Sequence, residues 1–190
     1  MRIKKIPEIA DRTWHILTSL NGKRRIETMF QYYYGEKVLE VGVGTGFLAV
    51  ALIKANDIKD FAGIDISEKN IEICKKLFEA NNVSGLLEVA KGENLPYVDG
   101  LFDTVILPEI LEHVHKPELI IQEANRVLKD CGQLIISVPA KGVMPPGKVT
   151  GHVQDFSKSD MEKLITENGF ILMHHRQVTS WNFYLGIKKH

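Results

Sequence analysis

The sequence predicts one α/β domain in which a seven-stranded, mostly parallel sheet lies between two layers of helices, a three-layer sandwich. Short apolar runs alternate with amphipathic helical segments from Glu36 onwards, a pattern typical of strand-helix-strand units with right-handed crossovers. The last two apolar runs are separated by only a few residues, which is too short for a parallel crossover. We therefore expect a doubly wound sheet that ends in an antiparallel C-terminal hairpin.

The individual elements are predicted from apolar spacing and from the residues that begin or end helices. The predicted strands are 37–41, 61–66, 86–90, 102–107, 134–138, 170–177 and 181–187. The predicted helices are 7–20, 23–34, 47–54, 117–129 and 157–168, with a further helix after the second strand. Ser67 is the expected cap of that further helix. Pro7 and Pro117 are expected to open helices, whereas Asn21–Gly22 and Gly132 are expected to end them.

The composition narrows the class of protein. The 190 residues suit a single domain, 1–190, and 24 basic residues balance 24 acidic ones, whereas a dedicated nucleic-acid binder usually carries a basic surplus. The N-terminus lacks the apolar core of a signal peptide, and no apolar run approaches the roughly 18 residues that span a membrane. Cys74 and Cys131 have neither disulfide nor metal spacing. We expect a cytoplasmic protein without a membrane partner, and nucleic acid is not the expected partner.

A glycine loop follows the first strand, with Gly42, Gly44 and Gly46 at alternate positions. Glycines there let the backbone turn tightly and approach a ligand, although a purely structural turn would explain them too. Asp65 ends the second strand, where a carboxylate can accept hydrogen bonds from both hydroxyls of a ribose. The alternative makes Asp65 the cap of the next helix, a role for which Ser67 is better placed.

Four motifs in order carry a resemblance to a known family. They are VLEVGVGTG at 38–46, GIDIS at 63–67, ENLPY at 93–97 with FD at 102–103, and EILEHV at 109–114. Together they resemble the class I S-adenosylmethionine-dependent methyltransferases, nearest to the group of ubiquinone-biosynthesis-type enzymes, and the match runs from about residue 37 to 187. The resemblance implies a Rossmann-like fold and S-adenosylmethionine as methyl donor, with S-adenosylhomocysteine as product. The donor-binding core would be 36–190, and the helices within 1–35 would form part of a lid over the substrate.

The resemblance also implies roles for particular residues. The glycine loop would face the methionine part of the donor with Glu40 near its amino group, while Asp65 would hold the ribose. The remaining donor contacts it implies are Ile66 against the adenine, Gly92 and Glu93 at the adenine edge, and Pro108 beside the methyl-transfer centre. The chain departs from the family pattern at Lys91, which stands where an aspartate is usual, and at Pro108, where the family usually has a small or polar residue.

The carboxylates and imidazoles near the fourth strand offer two interpretations. Glu109, Glu112 and His113 are expected on one face of a helix, where Glu109 and His113 could act as the base for a hydroxyl acceptor. The same three residues with His152 could hold a divalent metal, an arrangement that the resemblance links to metal-assisted O-methyltransferases. Against the metal, this motif is commonplace in the fold, and early helical glutamates favour the helix dipole. We favour the interpretation without a metal.

The function predicted from these features is methyl transfer to a small-molecule acceptor whose identity stays open. Neutral charge counts against an RNA 2′-O- or protein methyltransferase. A non-catalytic donor-binding subunit is the other alternative, because Lys91 and Pro108 depart from the family pattern. The acceptor pocket is expected between the N-terminal helices and the loop 139–156, with Tyr32, Tyr33, Tyr34, Met144 and Trp181 as wall residues. A homodimer stays open.

Overall fold

A computed structural model describes residues 3–9, 19–56, 58–144, 146–147 and 151–190. The helices are α1 Leu20–Phe30, α2 Phe47–Ala55, α3 Glu68–Asn81, α4 Pro117–Val127 and α5 Lys158–Glu167. The strands are β1 Lys37–Val41, β2 Asp60–Asp65, β3 Leu86–Val89, β4 Phe102–Pro108, β5 Leu128–Pro139, β6 Phe170–Val178 and β7 Trp181–Lys188. A single 3-10 turn, Leu111–His113, follows β4.

The seven strands form one sheet in the order β3-β2-β1-β4-β5-β7-β6. Strands β1 to β5 pair parallel with one another, and β7 pairs antiparallel with both β5 and β6. The strand order reverses between β1 and β4, which makes their carboxyl ends the switch point where such sheets bind ligands. The predicted doubly wound sheet with its antiparallel hairpin is confirmed.

Apolar side chains from successive sheet positions enter two separate cores. Leu39 and Val41 of β1 join a cluster that includes Ile120 of α4 and Ile165 of α5. Val38, which directly precedes Leu39 in β1, joins the cluster on the opposite face of the sheet with residues of α2 and α3. Because side chains alternate along a strand, this division places helices on both faces of the sheet. The three-layer sandwich is therefore present.

Several predicted helix boundaries are wrong. Helix α1 runs through Asn21–Gly22, because Ser19 caps it by accepting a hydrogen bond from the Gly22 amide, and it ends at Phe30 rather than residue 34. Helix α4 ends at Val127, and Gly132 lies inside β5. Residues 7–9 form a turn, and most of the helix expected at 7–20 lies outside the described residues.

Two further expectations concern the thiols and the membrane. Cys74 is buried and Cys131 is exposed, and neither forms a disulfide. Burial suits Cys74, which packs in the core beside the glycine loop. Within the described ranges, no helix combines the length and apolar character needed to cross a membrane.

Candidate functional site

The glycine loop leaves β1 at the switch point. The amides of Gly42 and Val43 both donate to the carbonyl of Ile64 on β2, at 2.8 Å each, and so bind the loop to the neighbouring strand. All three glycines have positive φ, which explains the Gly-x-Gly-x-Gly spacing. Gly44 has open space beside it, whereas a Cβ on Gly46 would lie 2.4 Å from the Cys74 sulfur. Because it has no side chain, Gly46 lets α2 pack against α3.

Asp65 fastens this loop to the end of β2. Its Oδ2 accepts from the Gly44 amide at 2.9 Å, and its Oδ1 accepts from the Ser67 amide at 2.8 Å and Asn70 Nδ2 at 3.2 Å. Ser67 Oγ caps α3 by accepting from the Asn70 amide, as the sequence predicts. Ser67 is therefore the cap of the α3 backbone, and the bond from α3 to Asp65 comes from the Asn70 side chain.

An open cleft of about 500 Å³, here the edge cleft, runs past the carboxyl ends of β1, β2 and β4. Among its lining residues are seven that the sequence predicts for the site, Gly42, Asp65, Ile66, Gly92, Glu93, Glu109 and His113. Ile66 is 69% exposed on its wall, an unusual position for an isoleucine directly after a buried strand. Lys91 also lines the cleft, as does Asn70, which sequence reasoning missed. The signal for Asn70 was its position one helical turn after Asp65.

A second cavity, about 340 Å³ and here the inner cavity, lies between α1 and the glycine loop. Glu40 and Pro108 both line it, as the resemblance implies for the methionine end of a donor. Glu40 is only 1% exposed, and its Oε2 has no hydrogen-bond partner among the described residues. Burial, reinforced by the nearby Asp65 charge, raises the pKa of Glu40 well above its ordinary value. The inner cavity thus contains a buried carboxyl group that forms no ion pair with the described residues.

The edge cleft and the inner cavity meet at two residues. Gly42 and Glu109 line both spaces, so the two adjoin at the end of β1, and the pair is here called the groove. Asp65 lines the edge cleft and Glu40 lines the inner cavity. Together they offer acceptors for the hydroxyl groups of an elongated polar molecule at Asp65 and for a cation at Glu40.

Glu109 lies differently from the prediction. The expected helix over 109–113 is only the 3-10 turn Leu111–His113, and Glu109 has a φ of 54° directly after β4. Because its positive φ lies outside the right-handed helical region, it does not share a helix face with Glu112 and His113. Strand β4 continues through Pro108, and the Glu109 carboxylate forms an ion pair with Arg25 of α1.

Glu112, His113 and His152 do come together. Their ligand atoms all lie within 4.8 Å of one another, and Glu109 is not among them. His113 Nδ1 lies 3.1 Å from the Gly151 carbonyl, and His152 Nδ1 lies 2.8 Å from the Met144 carbonyl. Since a carbonyl only accepts, each Nδ1 carries the proton and each Nε2 of a neutral ring is a lone-pair donor. Glu112 is 2% exposed and neither carboxylate oxygen has a partner in the described part of the chain.

Arg25 is a residue of the site that sequence reasoning missed. Besides its pairing with Glu109, its guanidinium carbon lies 4.0 Å from the centre of the Trp181 ring, on β7. Burial lowers the pKa of Arg25 to about 10, partly offset by the charge of Glu112. Helix α1 contributes Ile26 and Met29 to the inner cavity, whereas Tyr32, Tyr33 and Tyr34 do not line it. A helical spacing pattern alone could not show which turn of α1 faces the site.

Comparison with known proteins then decides the family. A family model described as a methyltransferase domain matches residues 39–136, a little over half of the chain. The chain belongs to this methyltransferase family. Curated relatives include 27-O-demethylrifamycin SV methyltransferase of Amycolatopsis mediterranei, 33% identical over 59% of this chain and 42% of that protein. Another is the ubiquinone biosynthesis O-methyltransferase of Pectobacterium carotovorum, 26% identical over 71% of this chain and 59% of that protein.

The relatives are longer than this methyltransferase domain, which spans about half the length of the first curated proteins it matches. Among solved structures, the [4+2]-cyclase SpnF has a TM-score of 0.81 with 18% identity, over 88% of this chain and 82% of that one. A putative methyltransferase from Bacillus halodurans has a TM-score of 0.75, also at 18% identity, over 87% and 99%. These structural likenesses establish the fold, and the presence of a cyclase among them shows that the fold alone does not fix the chemistry.

Proposed function

We propose that this domain binds S-adenosylmethionine and that its function is methyl transfer to a small-molecule acceptor. The observation that carries the proposal is the groove, which has Asp65 in the edge cleft and, in the adjoining inner cavity, the buried carboxyl of Glu40, whose Oε2 has no hydrogen-bond partner among the described residues. A donor with a ribose and an α-amino group has matching groups at matching ends. Family membership supports the same donor.

The donor contacts follow from the groove. Asp65 would hold the ribose, which would displace the Asn70 amide from its carboxylate, while the exposed Ile66 would lie against the adenine. Gly92 and Glu93 would face the adenine edge, where Lys91 cannot accept a hydrogen bond. Glu40 would pair with the α-amino group, and the loop at Gly42 and Gly44 would leave room for the methionine chain. S-adenosylmethionine supplies a methyl group activated by its sulfonium centre.

Residues of the chain would then position and prepare the acceptor. Helix α1 covers the inner cavity, which supports the proposed lid role of residues 1–35 and would keep water from the reacting atoms. We propose His113 as the base for a hydroxyl acceptor, because it lines the edge cleft and its Nδ1 bond leaves Nε2 basic. Glu109, the other predicted base, is engaged by Arg25 and would act by holding that guanidinium.

Oxygen is the proposed acceptor atom. The curated relative from Pectobacterium carotovorum is an O-methyltransferase by name, and a hydroxyl acceptor makes use of a nearby base. A cytoplasmic location belongs to the same proposal, supported by the two unpaired thiols. A homodimer remains open to measurement by light scattering.

Calorimetry with the purified protein tests the proposal. S-adenosylmethionine and S-adenosylhomocysteine should both bind with one site per chain, whereas ATP, which has the nucleoside but no amino-acid tail, should not bind at the same concentrations. If neither S-adenosylmethionine nor S-adenosylhomocysteine binds, the proposed function is wrong. Release of S-adenosylhomocysteine in the presence of a panel of hydroxylated acceptors would then separate an enzyme from a non-catalytic subunit.

A divalent metal is a second proposal at this site, carried by the grouping of Glu112, His113 and His152. Two neutral imidazoles and a carboxylate are a ligand set for divalent transition metals, and each imidazole is already oriented by a carbonyl on its other nitrogen. A metal bound there would act as a Lewis acid on an acceptor hydroxyl. The three residues would hold it, and Glu109 would not.

The metal proposal predicts a clear difference between two histidines. Titration of Co²⁺ should give one site by calorimetry and by visible absorption, and His152→Ala should weaken it at least tenfold. His115→Ala, which removes an exposed imidazole close by, should leave the affinity unchanged. Equal behaviour of the two variants would show that the grouping does not bind metal.

A further inference from the structure

Arg25 is the starting point for an inference about the acceptor. Its side chain is 18% exposed, and it lines the inner cavity beside Pro108 and Glu109. Within the described residues, no other lysine or arginine lines that cavity. Much of the remaining wall is apolar, including Ile26, Met29, Val43, Phe47 and Leu48. Among the described residues, the cavity therefore presents one permanent cation, the carboxyl groups of Glu40 and Glu109, and a set of apolar side chains.

The pairing of Arg25 with Glu109 does not use all of its donors. A guanidinium has five N–H groups in a planar fork, and the contact with Glu109 is through Nη2. In the described part of the chain, Glu109 is the only carboxylate within ion-pair distance of Arg25. The contact of Arg25 with the face of Trp181 restricts the guanidinium, which reduces the entropy lost when a further acceptor binds.

Trp181 lies next to Arg25 and adds a second unused donor. Its indole Nε1 is buried and has no hydrogen-bond partner among the described residues. Buried N–H groups are nearly always paired, so an orphaned one near a guanidinium indicates a missing acceptor. The two donors are neighbours, since the Arg25 guanidinium carbon lies 4.0 Å from the centre of the ring that carries this N–H.

From these contacts we propose that Arg25 and the Trp181 indole N–H bind a carboxylate of the methyl acceptor, which makes the acceptor a small carboxylic acid with an apolar body. The inference rests on the proposed function, because it takes the inner cavity to be the place where donor and acceptor meet. A carboxylate matches the planar fork of arginine and accepts from an indole N–H with the same oxygens. The apolar wall suits the body of the molecule.

Two matched pairs of probes test this. Benzoate and benzamide have nearly the same shape, as do octanoate and octanamide, and only the acid of each pair carries the charge. We expect at least one acid to bind at least tenfold more tightly than its amide when each is titrated with and without S-adenosylhomocysteine. Arg25→Met should abolish that difference, and Trp181→Phe, which keeps the ring but removes the N–H, should reduce it about threefold or more.

The controls separate this inference from the proposed function. Arg24→Met removes an exposed arginine from the same helix and should change nothing. Thermal melting shows whether Arg25→Met folds, and Arg25→Lys, which keeps the charge but loses the fork, should retain part of the preference. If acids and amides bind alike, or if Arg25→Met keeps the preference, the inference is wrong even when S-adenosylhomocysteine binds normally. Failure of S-adenosylhomocysteine to bind would instead count against the proposed function, and the titrations without it still decide the role of Arg25.

Discussion

Replacing Asp65 by Asn is expected to weaken S-adenosylmethionine binding by about 100-fold or more, because hydrogen bonds to a charged group are each worth about 1.5–3 kcal/mol. The carboxylate has about four lone-pair positions, and the amides of Gly44 and Ser67 and the side chain of Asn70 occupy three of them. A ribose with two hydroxyls would take the remaining position and displace Asn70, whose contact is the longest of the three at 3.2 Å. An asparagine would instead turn an NH₂ group toward one of these donors.

Calorimetry and thermal melting together distinguish loss of a ligand contact from loss of the loop. Asp60→Asn, at the exposed beginning of the same strand, is the matched control and should bind the donor normally. We expect Asp65→Asn to melt a few degrees lower, since the Gly44 amide loses a charged acceptor. Normal donor affinity in Asp65→Asn would contradict the proposed ribose site.

Asn70→Ala provides the complementary prediction for the same carboxylate. If the amide yields its place to the ribose, its removal should change donor affinity by less than about threefold. If Asn70 itself holds the ribose, the loss should approach tenfold, the value of one ordinary hydrogen bond. The donor affinities of Asp65→Asn and Asn70→Ala, measured by the same titration, therefore show which of the two side chains the ribose contacts.

The fold was predictable because its signals are local. Alternating apolar runs gave the strands, and the short connection before Trp181 gave the antiparallel hairpin. The donor-binding motifs were predictable for the same reason, since Gly42, Gly44 and Asp65 belong to two short turns at neighbouring strand ends. The start of α1 was not, because Ser19 is a stronger helix start than Asn21–Gly22 is a break.

The acceptor side could not be predicted, because its residues come from separate parts of the chain. Arg25, Glu109 and Trp181 lie on α1, after β4 and on β7, and no spacing rule connects them. Glu109 was misplaced because the motif suggests a helix, whereas its positive φ turns the backbone away from one. The contact between His152 and Glu112 depends likewise on how the loop 139–156 folds back. Long-range packing decides such contacts.

Glu40→Gln is expected to stabilise the free protein and weaken donor binding, two effects of opposite sign. In the folded state the pKa of Glu40 is raised well above 4.5 by burial, so the folded protein holds this proton more tightly than the unfolded chain. The stability contributed by the protonated group is complete below the unfolded pKa and is lost as the pH rises through the folded pKa. At pH 8 the variant should therefore be more stable than the wild type by about 1–3 kcal/mol, because only the wild type must retain an extra proton or bury a charge at that pH.

Denaturant unfolding from pH 5 to pH 9 measures this difference. The gap between the variant and the wild type should widen as the pH rises, because only the wild type carries the buried carboxyl group. Glu36→Gln is the matched control at the exposed beginning of the same β1 segment and should show no such widening. A constant gap for Glu40→Gln would mean that the carboxyl is stabilised by something other than its proton.

Donor binding should favour the ionised form of Glu40 over the protonated form. The α-amino group of S-adenosylmethionine is a cation, and pairing with it would ionise the carboxyl, so binding to the wild type should release a proton. Calorimetry in two buffers of different ionisation enthalpy detects that proton. In Glu40→Gln the proton release should disappear and the donor affinity should fall at least tenfold. A variant that binds the donor as tightly as the wild type and releases the same proton would show that the amino group lies elsewhere. In that case the Glu40 carboxyl group would destabilise the free protein without contributing to donor binding.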